Sequence, residues 1–317
     1  MIRVAVVGTG HFGREHARVY ASSPDASLVA VCDTSEINGL PVAAEYKVPL
    51  VSDYRDLIGK VDAVSLAVPT VSHHEIACDL LRAGIAVLVE KPIARTLEEA
   101  DEIIKEAARS KTVLQAGHLE RFNPAVVAAS RIITRPLFFE AHRLSLFTPR
   151  SLDIDVVMDL MIHDLDIILS FVQSEVAEIR AAGVPILTPR VDIANARVEF
   201  ENGCVANLTA SRVSSERVRK LRFFQPHQYV SIDYSAQEAA VVSVNRTAEG
   251  RPEFNSRLLD VERGEPLRLE IESFLSSVAG APVKATGEEA RKALALATEI
   301  NQKIRENAAR AGVPFAG

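Results

Sequence analysis

A lysine that directly follows a buried strand is the first residue of this chain whose type and position could support chemistry. Residues 85–89 form an apolar, strand-forming run that ends in Glu90, Lys91 and Pro92. Such a run is typical of a parallel strand buried on both faces. Because ligands bind outside the carboxyl ends of the strands of an open α/β sheet, Lys91 is predicted to face a ligand. The alternative is that Glu90 and Lys91 are loop charges in contact with water.

A second group of polar residues lies in an otherwise apolar stretch, residues 156–169, which is typical of a buried helix. The spacing of Asp159, His163 and Asp166 places all three on one stripe of that helix. Buried charges persist only with partners or with a function. His163 could therefore act as a general base that a carboxylate orients. Alternatively, these residues form an internal hydrogen-bonded pair that fixes packing.

The elements that must position these residues begin with a glycine-rich turn. Residues 2–7 predict a strand, residues 8–13 have the pattern GxGxxG, and residues 14–22 predict a helix. In this context the first glycine allows a tight turn, the second lets backbone amides approach a pyrophosphate, and the third permits close helix packing. The predicted contacts with a dinucleotide are Gly8, Gly10, His11, Phe12 and Gly13.

The second predicted strand, residues 28–32, ends in an acid that indicates which dinucleotide is bound. Asp33 lies 20 residues beyond Gly13, where a ribose-binding carboxylate is expected. A carboxylate accepts hydrogen bonds from both ribose hydroxyls and repels a 2′-phosphate, and Thr34 and Ser35 offer no arginine to hold one. The sequence therefore favours NAD over NADP.

Strands and helices continue to alternate up to about residue 117. Strands are predicted at 63–68 and 113–116 and a helix at 75–83, and a capping box at 96–99 begins a helix that reaches about residue 109. Residues 1–117 are therefore predicted to form a Rossmann dinucleotide-binding domain. Further cofactor contacts are predicted at the strand ends, namely Pro69, Thr70, His74, Glu90 and Lys91.

Two adjacent histidines, His73 and His74, raise the question of a metal site. Adjacent residues rarely converge on one ion, and the sequence offers no third ligand nearby. The sequence therefore predicts no metal site, and a role at a helix start or in cofactor contact is favoured for both histidines.

From residue 118 onward, strands follow one another without intervening helices. They are predicted at residues 138–146, 194–200, 205–211, 221–224, 229–234 and 241–246, with a hairpin turn at 201–203. This order favours an α+β domain over residues 118–317 with a large, mainly antiparallel open sheet. An alanine-rich helix at about 287–309 is expected to pack back on the first domain.

Composition limits the possible classes of protein. The length of 317 residues fits two domains, and the formal net charge of −6 argues against general nucleic-acid binding. The amino terminus does not resemble a signal peptide, and no apolar run approaches the length of a membrane span. The odd number of widely spaced cysteines indicates neither a disulfide framework nor a cysteine-based zinc site, so a reducing cytoplasm is expected.

The order and spacing of three motifs resemble those of the Gfo/Idh/MocA oxidoreductase family. The motifs are the glycine-rich turn, Glu90-Lys91-Pro92 and Asp159-x-x-x-His163. The resemblance implies a Rossmann domain followed by a domain with a large open sheet, which commonly pairs subunits into dimers or tetramers. It also implies that Lys91 contacts the reacting hydroxyl and the nicotinamide side. Asp159 and His163 would face the substrate carbon, with His163 or Lys91 as the proton acceptor.

Three further segments, residues 117–124, 157–166 and 211–220, resemble the subgroup that oxidises UDP-N-acetylglucosamine at the sugar 3-hydroxyl. The last segment is a local basic run in an acidic protein and suits a diphosphate, although it could also be a solvated loop. The predicted substrate contacts are Arg121, Asn123, Arg212, Arg217 and Arg219. Two alternatives stay open: a dehydrogenase of a free sugar or inositol, and a non-catalytic NAD-binding sensor.

Overall fold

The computed structural model describes residues 1–148, 154–246 and 250–312. The chain forms two compact units. The first consists of Met1–Leu119 and Glu265–Arg291, and the second consists of Glu120–Gly264 together with the residues from Lys292 onward.

The first unit contains a six-stranded parallel sheet with the strand order β3-β2-β1-β4-β5-β6. Its amino-terminal elements are β1 (Ile2–Val7), α1 (His11–Ser22), β2 (Ala26–Cys32), α2 (Glu36–Tyr46), β3 (Leu50–Val51), β4 (Ala63–Leu66), α3 (His73–Arg82), β5 (Ala86–Glu90), α4 (Leu97–Ser110) and β6 (Leu114–Gly117). The apolar runs of β1 and β5 are fully buried, as a parallel sheet covered on both faces requires. Sequence analysis did not predict α2 and β3.

The second unit contains an eight-stranded sheet with the strand order β14-β13-β12-β11-β7-β10-β9-β8. Its elements are α5 (Pro124–Ser130), β7 (Phe138–Leu144), a π-helical turn (Val157–Met161), α6 (Ile162–Val172), β8 (Val176–Val184), β9 (Ile193–Phe200), β10 (Val205–Ser211), β11 (Val218–Gln225), β12 (Gln228–Asp233), β13 (Glu238–Arg246) and β14 (Pro252–Leu258). All neighbouring strands are antiparallel except β7 and β10.

Burial explains which strands the sequence analysis missed. It did not predict β8 or β14, which carry one buried residue and none, respectively. A strand with so few buried side chains has no hydrophobic alternation to detect. The predicted fold class, a Rossmann domain followed by a domain with a large, mainly antiparallel sheet, is confirmed.

Helix α7 (Pro266–Val278) differs from its predicted assignment to the second domain. Its apolar residues Leu267, Ile271, Phe274 and Leu275 lie in the core of the first unit. This helix was not predicted from the sequence. It follows the strands of the second unit along the chain, and that position does not reveal that it covers the sheet of the first unit.

Helix α8 (Gly287–Arg310) is divided between the two units, and its predicted packing on the first domain stays a prediction. Its first residues, through Arg291, belong to the first unit, where Arg291 pairs with Asp101. The longer part belongs to the second unit, and its apolar face, including Leu296 and Ile300, lies in that core. Among the described residues, no helix is both long and apolar enough to cross a membrane.

Candidate active site

The glycine-rich turn between β1 and α1 is tightly packed except at its middle glycine. A Cβ on Gly8, whose φ is +89°, would lie 2.6 Å from the carbonyl oxygen of Ala67, just beyond β4. A Cβ on Gly13 would lie 1.7 Å from the carbonyl oxygen of Gly8. A Cβ on Gly10 would meet no atom of the described chain within 4 Å beyond its immediate surroundings. The turn therefore leaves room at Gly10 for a dinucleotide phosphate at the start of α1.

Asp33, one residue beyond β2, is held against this turn. Its Oδ2 accepts hydrogen bonds from the amide and the hydroxyl of Thr9, each at 2.7 Å, and its Oδ1 accepts one from the amide of Ser35 at 2.8 Å. Thr9 is fully buried, whereas Asp33 is partly exposed. The carboxylate is thus fixed and still accessible, which fits the ribose contact predicted for it.

The first turn of α1 presents its predicted cofactor contacts to solvent. His11 and Phe12 are both exposed, and their rings lie edge to face with centroids 6.2 Å apart. Exposed aromatic side chains beside an open glycine are consistent with a ligand-binding surface.

A buried histidine links the loops that follow β4 and β5. The Nδ1 of His73 lies 3.0 Å from the carbonyl oxygen of Pro92, and its Nε2 lies 3.0 Å from that of Val68. Burial lowers the pKa of His73. Pro69 and Thr70, predicted cofactor contacts, lie in this linked loop, where Thr70–Ser72 forms a short 3-10 turn. His73 therefore links the two loops through the backbone carbonyl groups of Val68 and Pro92.

His74, a predicted cofactor contact, pairs with a different element. Its Nε2 lies 2.6 Å from Oε2 of Glu102 in α4, and both side chains are partly exposed. This pair links α3 to α4 at the surface. The predicted role of His74 in cofactor binding stays a prediction.

Lys91 lies immediately beyond the end of β5, in the position that the sequence predicts. Its amide donates to Oε2 of Glu90 at 3.3 Å, and Oε1 of Glu90 lies 3.0 Å from Nε2 of the fully buried His16. Glu90 therefore has a structural task at the strand end, and its predicted contact with the cofactor stays a prediction.

In the second unit, Asp159 lies in the π-helical turn and His163 in the first turn of α6. Both are partly exposed, although the adjoining Met161 and Ile162 are buried. A π-helical turn is rare and is frequently found at functional sites. This placement is compatible with the catalytic roles predicted for Asp159 and His163, which stay predictions.

Asp166, the third residue of the predicted stripe, has a structural role. Its carboxylate accepts two hydrogen bonds, at 2.7 and 2.8 Å, from the guanidinium of Arg121, and Asp166 is buried. Two donors of the Arg121 guanidinium thus hold α6. The predicted contact of Arg121 with the substrate stays a prediction. Asp166 thus forms a buried ion pair with a residue outside the stripe.

A buried network that the sequence analysis missed lies beside these residues. Arg143 of β7 donates two hydrogen bonds to Asp164, at 2.8 and 3.0 Å, and one to Glu120 at 3.0 Å. Its guanidinium also lies 4.9 Å from the centroid of the Tyr234 ring. Burial alone would lower the pKa of Arg143, but the charges of Asp164 and Glu120 hold it well above its ordinary value. The network fixes the residue that follows His163.

Two further predicted substrate contacts are buried. Asn123 is 2 % exposed; its Oδ1 caps α5, and its Nδ2 donates to Glu120 and to the carbonyl oxygen of Tyr234. Arg212 is 5 % exposed and donates to the carbonyl oxygen of Ile154 at 2.7 Å. These contacts give both side chains a role in the fold. The predicted contacts of Asn123 and Arg212 with the substrate stay predictions.

The remaining basic residues of the run differ in burial. Arg217 is exposed, Lys220 pairs with Asp233 at 3.5 Å, and Arg219 lies half-buried opposite Arg143 in the pairing of β11 with β7. Burial and the charge of Arg143 lower the pKa of Arg219. Its Nε is buried without a hydrogen-bond partner among the described residues. An anion at this position would satisfy that donor and relieve the repulsion.

Two family models match the chain. The model of an oxidoreductase family with an NAD-binding Rossmann fold matches residues 2–118, and the model of the Gfo/Idh/MocA C-terminal domain matches residues 135–225. The first match ends one residue beyond the predicted domain boundary at 117, and the second begins 18 residues after that boundary.

Individual proteins match over a wider range. UDP-N-acetylglucosamine 3-dehydrogenase from Acidithiobacillus ferrooxidans is 38% identical over 306 residues, which are 96% of this chain and 97% of that protein. A solved structure of that enzyme has a TM-score of 0.89 over 96% of this chain and 97% of its own. Inositol 2-dehydrogenase 1 from Saccharopolyspora erythraea is 32% identical over 194 residues, 56% of each chain.

A levoglucosan dehydrogenase, solved in complex with NADH and levoglucosan, shares the fold at 20% identity. Its TM-score is 0.85, with coverage of 96% of this chain and 97% of its own. The predictions of an enzyme, of oxidoreductase chemistry and of NAD as cofactor are confirmed. The chain belongs to the Gfo/Idh/MocA family of NAD-binding oxidoreductases.

Proposed function

We propose that this protein oxidises the 3-hydroxyl of UDP-N-acetylglucosamine to the 3-keto sugar with NAD. The observation that carries the proposal is the 38% identity to UDP-N-acetylglucosamine 3-dehydrogenase over 96% of the chain, which includes both units. The match to inositol 2-dehydrogenase 1 covers only 56% of the chain. A free sugar or inositol is therefore the second candidate substrate.

In the proposed mechanism, NAD supplies the acceptor for the hydride that leaves C3 of the sugar. His163 takes the proton of the 3-hydroxyl as general base, and Asp159 orients it. Lys91 stabilises the negative charge that develops on the hydroxyl oxygen, and it is the alternative proton acceptor. Asp33 holds the adenosine ribose, and the turn around Gly10 accommodates the pyrophosphate.

Arg217 and Arg219 are the proposed contacts with the diphosphate of the substrate. Support comes from the exposure of Arg217 and from the buried, unpaired Nε of Arg219 beside a second guanidinium. Charge-assisted contacts of this kind contribute about 1.5–3 kcal/mol each, whereas a free sugar offers only neutral hydroxyls.

The test is a screen of nucleotide sugars, free sugars and inositols with NAD, followed by the absorbance of NADH. Turnover of UDP-N-acetylglucosamine supports the proposal. Arg219→Ala and Arg217→Ala should then raise the KM for this substrate about tenfold or more, with a marked salt dependence. Arg197→Ala, a half-exposed arginine of β9, is the matched control and should leave the KM unchanged. Ready oxidation of inositol or glucose with no response to UDP-sugars would refute the substrate.

We further propose that the enzyme is a homodimer or homotetramer paired through the large sheet. Phe138, Phe224 and Tyr229 pack on one another, with centroids 5.7 and 4.9 Å apart, whereas Phe139 and Phe223, one residue away, lie in the core. Alternation along a strand therefore places the first three on the opposite face. Light scattering should give a multiple of the chain mass, and Tyr229→Lys should lower it; a monomeric wild type would contradict this assembly.

We also propose a cytoplasmic location. Cys32, Cys78 and Cys204 are all free thiols and all buried. Burial raises the pKa of Cys32 to about 12 and those of Cys78 and Cys204 to about 11. Unpaired, inert thiols are typical of proteins from a reducing compartment.

A further inference from the structure

A cluster of three ionisable side chains lies in the core of the first unit, outside the roles assigned above. His16 of α1, Glu90 of β5 and Glu270 of α7 each offer one ligand atom, and these atoms lie within 4.8 Å of one another. His16 and Glu270 are fully buried, and the side chain of Glu90 is 12 % exposed. Because burying an unpaired charge is costly, the protonation states of these three groups must balance one another.

The hydrogen bonds around His16 are consistent with one direction of donation. The hydroxyl of Tyr20 lies 2.8 Å from Oγ of Ser65, and that Oγ lies 3.0 Å from Nδ1 of His16. If Tyr20 donates to Ser65 and Ser65 donates to Nδ1, the ring is a neutral tautomer that carries its proton on Nε2. That proton points at Oε1 of Glu90, 3.0 Å away. This series of hydrogen bonds thus ends on the carboxyl group of Glu90.

Glu270 is the member of the cluster that takes no part in this series of hydrogen bonds. Neither of its carboxyl oxygens has a hydrogen-bond partner among the described residues. The titratable groups recorded beside it are His16 and Tyr20 of α1 and Glu90 of β5. Burial, and then the charge of Glu90, raise the pKa of Glu270 well above its ordinary value. An ionised Glu270 would add a second negative charge beside that of Glu90.

We propose that Glu270 is a neutral carboxylic acid that donates its proton to Glu90 through one bridging water molecule and so fixes the strand end that carries Lys91. Glu90 is also confined by Gly117, where an added Cβ would lie 3.0 Å from its Oε1. Oε2 of Glu90 accepts from the amide of Lys91 at 3.3 Å. Glu270 is thus a positioning residue for Lys91, and this part of the inference rests on the proposed function.

The protonation state is tested on the full-length protein without any substrate. Glu270→Gln replaces the acid by a neutral group of the same shape, and Glu272→Gln makes the same change at an exposed position of α7. The infrared C=O stretch of a protonated carboxyl group should be present in the wild type and in Glu272→Gln at pH 7 and missing in Glu270→Gln. Its absence from the wild type would overturn the proposal.

Thermal unfolding between pH 5 and pH 9 gives an independent readout. A carboxyl group whose pKa is raised on folding contributes stability that is complete below its unfolded pKa and declines as the pH rises toward its folded pKa. The melting temperature of Glu270→Gln should therefore rise relative to wild type as the pH rises, whereas Glu272→Gln should show no such trend. If the melting temperature of Glu270→Gln differed from that of wild type by the same amount at every pH, the proposal that Glu270 is neutral would be refuted.

A divalent metal ion could also balance two ionised carboxylates, and metal analysis distinguishes the two cases. The purified wild type should contain no stoichiometric metal. One equivalent of zinc or another divalent ion that is lost in Glu270→Gln would overturn the proposal.

The positioning role is tested by comparing kcat of Glu270→Ala with that of the conservative variant Glu270→Gln. Glu270→Ala should lower kcat about tenfold with an unchanged KM for NAD, and Glu270→Gln should restore most of the loss. If wild type turns over no substrate, the amide resonance of Lys91 serves instead. It should shift in Glu270→Ala and not in Glu272→Gln. If Glu270→Ala and Glu272→Gln had the same effect on kcat or on the Lys91 resonance, the positioning role would be refuted. The result on the protonation state of Glu270 would still hold.

Discussion

Thr9 donates both its amide and its hydroxyl to the same carboxylate oxygen of Asp33, each at 2.7 Å. The glycine-rich turn and the end of β2 are thereby joined at the point where the adenosine ribose is proposed to bind. The carboxylate keeps a fixed orientation, so that a 2′-phosphate would meet its charge at short range.

We therefore expect NAD to be preferred over NADP, and Asp33→Ala to narrow that preference. The measurement is kcat/KM for both cofactors in wild type and variant. Thr9→Val keeps the amide donor and removes the hydroxyl, so it should weaken NAD binding by up to about tenfold while the preference for NAD persists. Comparable kcat/KM values for the two cofactors in the wild type would contradict this role of Asp33.

Lys91→Ala and His163→Ala should each lower kcat by about 10²-fold or more, because each removes a group that acts on the chemical step. Binding of NAD, followed by fluorescence titration of NADH, should be retained in both. If either variant kept nearly normal turnover, the residue replaced in it would not have the proposed catalytic role.

Arg143→Ala should lower the free energy of unfolding by about 3–5 kcal/mol, because Asp164 and Glu120 would be left as buried charges without their partner. Urea denaturation measures the change. Arg222→Ala is the control: its pair with Glu140, at 3.5 Å, is half exposed, and its loss should cost about 1 kcal/mol or less. Equal effects of the two substitutions would show that the Arg143 network adds nothing beyond a surface pair.

Asp192 predicts a pH-dependent contribution to stability. Burial alone would raise its pKa, but the amides of Thr188, Ile186 and Leu187 hold it below its ordinary value. A depressed pKa contributes stability above the unfolded pKa that is lost as the pH falls through the folded pKa.

Asp192→Asn should therefore destabilise the protein by about 2 kcal/mol at pH 7, and the gap should close below about pH 3.8. Unfolding curves of both proteins across this range give the comparison. If the difference in the free energy of unfolding between the two proteins stayed constant from pH 7 to pH 3, the negative charge of Asp192 would not be the source of the stabilisation by the three amides.

Five of the six strands of the parallel sheet were predicted from the sequence, because they are apolar runs that end in turn residues. The exception is β3, which has two residues, neither of them buried. β1, β5 and the glycine-rich turn lie where the apolar runs and glycines indicate. The placement of Asp33 also followed from spacing alone. Local patterns of this kind need no knowledge of the rest of the fold.

The substrate contacts were less predictable, because a basic run does not reveal which arginines already have partners. Arg121 lies in the segment 117–124 and is bound to Asp166. Arg212 lies in the same basic run as Arg217 and is bound to the carbonyl oxygen of Ile154. The two pairs join residues 45 and 58 positions apart. Glu270 shows the same limit, since only the fold brings it beside His16 and Glu90.

The return of α7 to the first unit affects the order in which this protein can fold during synthesis. The ribosome releases β1–β6 early, but Leu267, Ile271, Phe274 and Leu275 emerge only after residues 120–264. Until then the surface that α7 will cover, which includes Tyr20, Glu90 and His16, stays open to water and to chaperones. A fragment ending at residue 119 should for the same reason bind the dye ANS and aggregate, and adding α7 as a separate peptide should suppress both.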